Sequence, residues 1–159
     1  MDVKTEVKID PVVSRLQKLK NAGADLSKPL SACGEILLSS IEENFQQEGR
    51  FDSAGSWRGG NNRWADLAER TKAARAKKGK WPGKKLQMSQ GGLAASISKS
   101  VQGNLVTVGT NKAYAAIHQF GGQAGRGRKV TIPARPFLVV QEEDADNMVE
   151  ILNKHIAKI

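Results

Sequence analysis

The chain has 159 residues, of which 25 are Lys or Arg and 16 are Asp or Glu, so its formal net charge is +9. This length predicts one domain, residues 1–159, because the chain can bury one sizeable core but hardly two. The only cysteine, Cys33, excludes an internal disulfide framework and a cysteine-cluster zinc site. The two histidines, His118 and His155, supply a metal centre poorly, so we expect no metal and no cofactor.

Neither a membrane span nor an export signal is expected. No run of apolar residues approaches the roughly 18 that a membrane helix needs. The N-terminal stretch from Met1 to Glu6 lacks the apolar core of a signal peptide. The sequence therefore predicts synthesis in the cytoplasm and no membrane partner.

The positive charge is concentrated in the middle of the chain. Residues 1–49 carry 6 basic and 8 acidic side chains, residues 50–92 carry 11 and 3, and residues 93–159 carry 8 and 5. A basic, glycine-rich region at about residues 49–92 can bind nucleic acid or an acidic protein surface, or it can be a solvated, mobile loop. The sequence alone slightly favours the loop. The candidate basic patch consists of Arg70, Arg75, Lys77, Lys78, Lys80, Lys84 and Lys85.

The first third of the chain predicts one strand and two helices. Residues 3–9 alternate apolar and charged side chains, as a half-buried strand does. The pair Asp10-Pro11 opens a helix that ends near residue 22. A second helix begins with Ser27 as its N-cap and ends at Gly49, with apolar residues at three-to-four spacing. Cys33 lies on this apolar face and is predicted to be a small buried residue.

The middle third predicts little regular structure. Arg50 to Arg63 is an irregular loop by composition, since glycine, asparagine and serine dominate it. Trp64 is predicted to start a short helix and to anchor the core. Leu86 and Met88 predict a small strand, followed by a helical turn through residues 93–97.

The last third carries the clearest strand signals. Apolar residues on both sides of Gln102-Gly103-Asn104 predict a hairpin. Tyr114 to Phe120 predicts a short helix that stops at a glycine pair, and Gln123 to Arg128 predicts a flexible loop. Val130 to Ile132 is a predicted strand. From Glu143 onward, an amphipathic helix with acidic residues in its first turn is expected.

Strands and helices are mixed without strict βαβ alternation. The predicted class is therefore α+β, with a small antiparallel sheet and its hairpin packed against two or three helices, and with long flexible loops.

The sequence contains no pattern typical of an enzyme. It lacks a phosphate-binding glycine loop and the HExxH, GxSxG and CxxC motifs. His118 has the chemistry of a general base near neutral pH, but within YAAIHQF a hydrogen-bonded structural histidine is the commoner role. The carboxylate runs Glu42-Glu43 and Glu142–Asp144 fit solvated helix faces. We therefore expect no enzymatic activity.

Nucleic-acid binding has more support. Trp57, Trp64 and Trp81 lie among basic side chains, and stacking combined with phosphate neutralisation is how single strands are bound. However, Leu67 follows Trp64 at helical spacing, which favours a core position for this tryptophan. A basic loop also contacts DNA through phosphates alone, without reading bases.

Five segments between about Phe45 and Leu138 form a recognisable pattern. They are WADL at 64–67 with Thr71 and Arg75, LQMSQGGLAASI at 86–97, VTVGT at 106–110, YAAIHQFGG at 114–122 and IPARPFL at 132–138. In order and approximate spacing they resemble the phage virion morphogenesis (tail completion) family of tailed phages and Mu-like prophages. The chain departs from that pattern in the long Gly/Asn-rich stretch before Trp64 and at Gly91-Gly92, where the family has Ser-Gly.

The resemblance implies a non-enzymatic structural protein that completes the tail or the head–tail neck. Its expected partners are other tail or neck proteins and further copies of itself, since related connectors form rings that are often hexameric. It would act in the host cytoplasm during assembly and then in the virion. The basic region would face DNA, non-specifically, or an acidic neighbour. The alternative function is a basic nucleic-acid-binding module unrelated to virion assembly.

Four residues of the matched segments are candidates for an interface: Tyr114, His118, Gln119 and Arg135. Tyr114, Ile117 and Phe120 are predicted to pack the short helix against the hairpin. His118 and Gln119 would then lie on its polar side, ready to bond backbone or a neighbouring subunit.

Two prolines are predicted to hold Arg135 extended, because a residue that precedes proline avoids the helical region. The arginine is then expected to form an internal ion pair or to cap a carbonyl. A contact between subunits is almost equally favoured.

Overall fold

A computed structural model describes residues 9–50 and 63–158. The predicted strand over residues 3–9 and most of the predicted loop over residues 50–63 lie outside the described residues.

The described residues form five α-helices and two two-stranded antiparallel sheets, which confirms the predicted α+β class. In chain order they are α1 (Asp10–Asn21), α2 (Ser27–Gln47), α3 (Glu69–Ala76), β1 (Ser98–Gln102), β2 (Leu105–Gly109), α4 (Ala115–Phe120), β3 (Gly122–Ala124), β4 (Val130–Ile132) and α5 (Glu142–Ile156). Single 3₁₀ turns lie at Ala94–Ser96 and Arg126–Arg128.

Helices α1 and α2 form where predicted, although α2 begins differently. Pro11 lies in the first turn of α1, where its missing N–H costs nothing. Ser27 is not the N-cap of α2, because Leu26 holds that position. The carboxylate of Asp25 accepts hydrogen bonds from the Ser27 backbone N–H at 2.9 Å and from its hydroxyl at 2.7 Å. An aspartate two residues earlier has therefore taken over the capping role.

Helices α1, α2 and α5 share a first apolar core with the β1–β2 hairpin. Leu19, Leu30 and Leu152 are among its most deeply buried members, and Val101 and Val106 of the hairpin pack against it. Each helix supplies an apolar stripe, so the burial of these stripes against one another stabilises all three.

Cys33 of α2 lies in the same core, as predicted. Burial raises the pKa of the Cys33 thiol to about 11, so the thiolate is disfavoured near neutral pH. The residue behaves as a small apolar side chain.

A second core is built around three aromatic rings. The Phe45 ring lies 5.5 Å from Trp64 at an angle of 84° and 5.4 Å from Phe137. Edge-to-face pairs of this kind are favoured over face-to-face stacking. The prediction that Trp64 anchors the core is confirmed, since only 4% of it is exposed.

Two predictions for the middle of the chain are wrong. Helix α3 begins at Glu69 instead of Trp64, because Trp64 donates its backbone N–H to the Glu48 carbonyl at 2.8 Å and runs extended past the end of α2. Leu86 and Met88 form no strand. Leu86 takes a φ of +59°, and the amide of Gln87 donates to the Phe45 carbonyl at 2.7 Å, so a side chain replaces strand pairing here.

The hairpin predicted around Gly103 is confirmed, with Gln102 opposite Leu105. The flexible loop predicted for Gln123–Arg128 is wrong in part. Residues 122–124 pair with residues 130–132 as β3 and β4, and Gly125 and Gly127 turn the chain between them with positive φ. The glycines therefore encode a tight turn between two short strands.

Helix α5 starts one residue before its predicted position, with Glu142, Glu143 and Asp144 in its first turn. The Asp144 carboxylate accepts the backbone N–H of Gln141 at 2.7 Å, which caps the helix. Among the helices of residues 9–50 and 63–158, none has the length and apolar character needed to cross a membrane.

Gly121 joins α4 to β3 at a point where the backbone has no room for a side chain. Its φ is +71° and its ψ is −177°, a region that is essentially restricted to glycine. A Cβ placed there would lie 2.8 Å from the backbone nitrogen of Ala134. The short helix and the segment after β4 are therefore in direct backbone contact.

Replacing Gly121 with Ala is expected to lower the free energy of unfolding by about 2–3 kcal/mol, through backbone strain and the clash with Ala134. Chemical unfolding followed by tryptophan fluorescence measures this change. Gly109→Ala is the matched control, because nothing lies within 4 Å of the added Cβ and φ is not positive. Equal stability of the two variants would contradict this account of the junction.

Candidate functional site

The Ile132–Leu138 segment, one of the matched segments, ends in an irregular stretch held by side chains from three other places. The Asn44 amide donates to the carbonyls of Pro136 and Phe137, both at 3.2 Å. The indole N–H of Trp64 donates to the Pro136 carbonyl at 2.8 Å. These bonds satisfy backbone groups that have no strand partner, and Phe137 is completely buried.

Gln119 completes this support from α4. Its side-chain oxygen accepts the backbone N–H groups of Phe137 and Leu138, both at 3.0 Å, and its amide donates to the Leu138 carbonyl at 3.1 Å. Gln119 bonds backbone, which is one of its two predicted roles, but its predicted position on the polar side of the helix is wrong. The residue is buried, so its polar groups are used inside the subunit.

Arg135 ties the same segment to the stretch that follows Trp64. Its Nε donates to the Ala65 carbonyl and its Nη2 donates to the Asp66 carbonyl, both at 2.8 Å. Its backbone N–H donates to the His118 carbonyl at 2.7 Å. Burial lowers the pKa of Arg135, which is only 4% exposed. Of the predicted roles, the structure assigns the carbonyl cap to this side chain.

Tyr114, the N-cap of α4, is exposed, and His118 of α4 is half-buried. Their rings meet edge to face, with centroids 6.0 Å apart. Burial, and then the charge of Arg135, lowers the pKa of His118, so the neutral imidazole is favoured. The Nδ1 atom of His118 has no partner in the described part of the chain.

The predicted inward packing of Tyr114 and Phe120 is wrong. They are 46% and 61% exposed, whereas Ala115 and Gln119 are the buried residues of α4. The helix is only six residues long, and the hydrogen bonds of Gln119 to the Ile132–Leu138 segment fix which side faces inward. Tyr114 and Phe120 are thereby left as exposed aromatic side chains.

Three members of the predicted basic patch hold the fold instead of facing solvent freely. Arg75 is buried and donates to the Lys84 carbonyl at 3.0 Å. The Lys84 ammonium donates to the Gln46 carbonyl at 2.6 Å, at the C-terminus of α2 where the helix dipole favours a cation. Lys85 pairs with the carboxylate of Glu48 through its backbone N–H and its ammonium.

Lys84 is exposed, and so are four other members of the patch, which we call the exposed cations. They are Arg70, Lys77, Lys78 and Lys80. None of them pairs with a carboxylate in the described residues, whereas nearby Lys72 is neutralised by Asp66 and Glu69.

The sequence analysis did not predict a second basic cluster, which lies in the β3–β4 turn. Arg126, Arg128 and Lys129 are exposed in the turn between β3 and β4. One sequence signal was available for it, because residues 70–141 contain no Asp or Glu at all.

A buried polar cluster between α2 and α5, the Arg50 cluster, was also missed. The Nη1 of Arg50 donates to Glu43 at 2.6 Å and to Glu143 at 2.8 Å. Its Nη2 donates to the Ser40 hydroxyl at 2.7 Å, which donates in turn to Asp144 at 2.6 Å. Burial raises the pKa of Asp144. Nothing in the local sequence distinguishes Arg50 from the loop that follows it.

No metal centre is offered by the described ranges, since no three His, Cys, Asp or Glu side chains there are arranged to hold an ion. The polar groups gathered around Phe137 bond backbone amides and carbonyls. The candidate surfaces are the exposed cations, the β3–β4 turn, the exposed aromatic side chains at the ends of α4 and the Arg50 cluster.

Replacing Arg135 with Lys is expected to lower the free energy of unfolding by about 2 kcal/mol, because a single ammonium cannot bond both carbonyls as the guanidinium does. Urea unfolding of the isolated protein measures this. Arg70→Lys, at an exposed position, is the matched control and should change stability by no more than about 0.5 kcal/mol. An Arg135→Lys variant as stable as the wild type would instead place the role of Arg135 between subunits.

Comparison with known proteins identifies a family to which this sequence is similar. Residues 7–157 match the model of the phage virion morphogenesis family. The chain is 34% identical over 146 residues to "Mu-like prophage FluMu G protein 2" of Haemophilus influenzae, covering 87% of this chain and 84% of the relative. It is 27% identical over 158 residues to "Putative capsid assembly protein G" of Escherichia phage Mu, covering 99% and 96%.

A third relative, "Mu-like prophage FluMu G protein 1" of Haemophilus influenzae, is 33% identical over 98 residues, which cover 61% of this chain and 62% of the relative. No solved structure matches the chain significantly. Because the family model spans nearly all described residues, the chain belongs to the phage virion morphogenesis family, and its role in virion assembly is structural.

Proposed function

We propose that this protein completes the phage tail or the head–tail neck, and that it does so as a ring of identical subunits. The observation that carries the proposal is that polar side chains of the matched segments form hydrogen bonds within the subunit. Gln119 and Arg135, their most distinctive polar residues, bond backbone groups inside the subunit. These bonds hold the segment in one conformation. A rigid subunit with repeated contact surfaces is what a symmetric assembly requires.

Family membership favours this function over a nucleic-acid-binding module unrelated to virion assembly. A second candidate within virion assembly comes from the printed name of the phage Mu relative, which refers to capsid assembly. The two candidates act at different stages. A capsid assembly factor is needed before the head is filled, whereas a tail-completion protein is needed to finish or join a tail.

Deleting the gene from an inducible prophage that encodes this protein separates the two candidates. For tail completion we expect filled heads together with unjoined tails, or tails of abnormal length, in electron micrographs of the lysate. The wild-type gene supplied from a plasmid should restore complete particles. Empty or aberrant heads with normal free tails would support capsid assembly and contradict tail completion.

The exposed cations favour DNA as an additional contact of the assembled protein. They are uncompensated by carboxylates in the described residues, and a protein at the tail end or neck lies on the path of the genome. Phosphate contacts of this kind carry no sequence preference and weaken as salt displaces the released counterions.

If the four exposed cations each contact one phosphate, affinity for double-stranded DNA should fall about 150-fold between 50 and 200 mM salt. Fluorescence anisotropy with a labelled duplex measures this. Replacing the four with Ala should flatten the salt dependence, whereas Lys18→Ala with Lys20→Ala on α1 should leave it unchanged. Wild-type protein that fails to bind at 50 mM salt would refute the DNA contact.

A further inference from the structure

A polar cleft of about 210 Å³ lies between helices α2 and α5. Its lining consists of Ile36, Ser39, Ser40, Glu43, Arg50, Glu143, Asp144 and Asn147. This volume is below the roughly 300–1,000 Å³ of typical small-molecule pockets, so it suits a single long side chain.

The lining carries an excess of negative charge. Glu43, Glu143 and Asp144 contribute three carboxyl groups, against one guanidinium from Arg50. The side chains of Glu43 and Glu143 are 51% and 62% exposed, so both carboxylates still face solvent beyond their bonds to Arg50. The cleft therefore attracts a cation.

Arg50 shows that the cleft is a built feature and more than a group of surface acids. Its side chain is 7% exposed and is held by Glu43, Glu143 and Ser40. Its Nε nevertheless has no acceptor in the described part of the chain. A buried guanidinium with one donor left over is incompletely satisfied, and a docked chain can supply a carbonyl to it.

The same molecule carries the complementary partner. The exposed cations Arg70, Lys77, Lys78 and Lys80 belong to the acid-free stretch of residues 70–141, and none of them forms an ion pair with a described carboxylate. Within residues 9–50 and 63–158, the basic surface therefore has no carboxylate partner, and the cleft keeps more carboxyl groups than cations.

We infer that the cleft between α2 and α5 receives one basic side chain, Lys77 or Lys78, from a second copy of this chain, while Arg70 and Lys80 stay on the open surface of the assembly. The inference rests on the proposed assembly into rings and identifies the contact that builds them. The two surfaces are different, so the contact is head to tail. Such contacts form a ring when the rotation between subunits closes and an open filament when it does not.

The test blocks each surface separately without removing a partner of Arg50. Ser39→Lys with Asn147→Lys adds two positive charges at exposed lining positions of the cleft, and Lys77→Gln with Lys78→Gln removes two positive charges from the basic surface. Sedimentation velocity over a range of concentrations should show concentration-dependent oligomers of the wild type. Each double variant should raise the dissociation constant at least tenfold. Gln17→Lys, an exposed charge addition on α1, should not.

A mixture of the two double variants tests whether the two surfaces bind each other. One variant keeps the basic surface and the other keeps the cleft, so an equimolar mixture should form a 1:1 dimer that grows no further. Circular dichroism of each variant checks that the fold is retained.

Three results would overturn the inference: wild-type protein that stays monomeric at every concentration, a cleft variant that associates as the wild type does, or a mixture without the dimer. A failure here leaves the particle phenotype of the gene deletion unaffected. The two proposals can therefore fail independently.

Discussion

The fold depends on supplying hydrogen-bond partners to an irregular buried segment. Residues 133–138 run through the second core without a neighbouring strand, so their peptide groups need partners from side chains. Asn44, Trp64 and Gln119 provide those partners from α2, from the stretch before α3 and from α4. The burial of Phe137 therefore depends on the hydrogen bonds that its backbone forms. Those bonds connect parts of the chain that are far apart in sequence.

In this arrangement, the side chains of Gln119 and Arg135 bond backbone groups inside the subunit. The Arg135 side chain donates to two backbone carbonyls. The Gln119 side chain donates to a backbone carbonyl and accepts from a backbone N–H. Each places the desolvated polar groups of one segment opposite those of another, and a buried polar group left unpaired would be costly. In the proposed assembly, contacts between subunits would use the surface, where the exposed cations and the carboxylates of the Arg50 cluster carry opposite charge.

Several features followed from local sequence. Helices α1, α2 and α5 and the β1–β2 hairpin appear where periodicity, proline and turn residues predicted them, because each has an amphipathic pattern of its own. Segments without such a pattern were predicted less well. Leu86 and Met88 lack a strand partner, and the β3–β4 strands are three residues each, too short for alternation to be visible.

The sequence by itself determined the class of fold, the basic character of residues 49–92 and the pattern of the family. Tertiary structure decided which polar residues face inward. Asn44 lies on the apolar face of α2, and Arg50 reaches Glu143 from 93 positions away. It also decided that Lys84 caps α2 while Lys77 is exposed. Such choices depend on contacts between residues far apart in the chain, and local spacing carries no information about them.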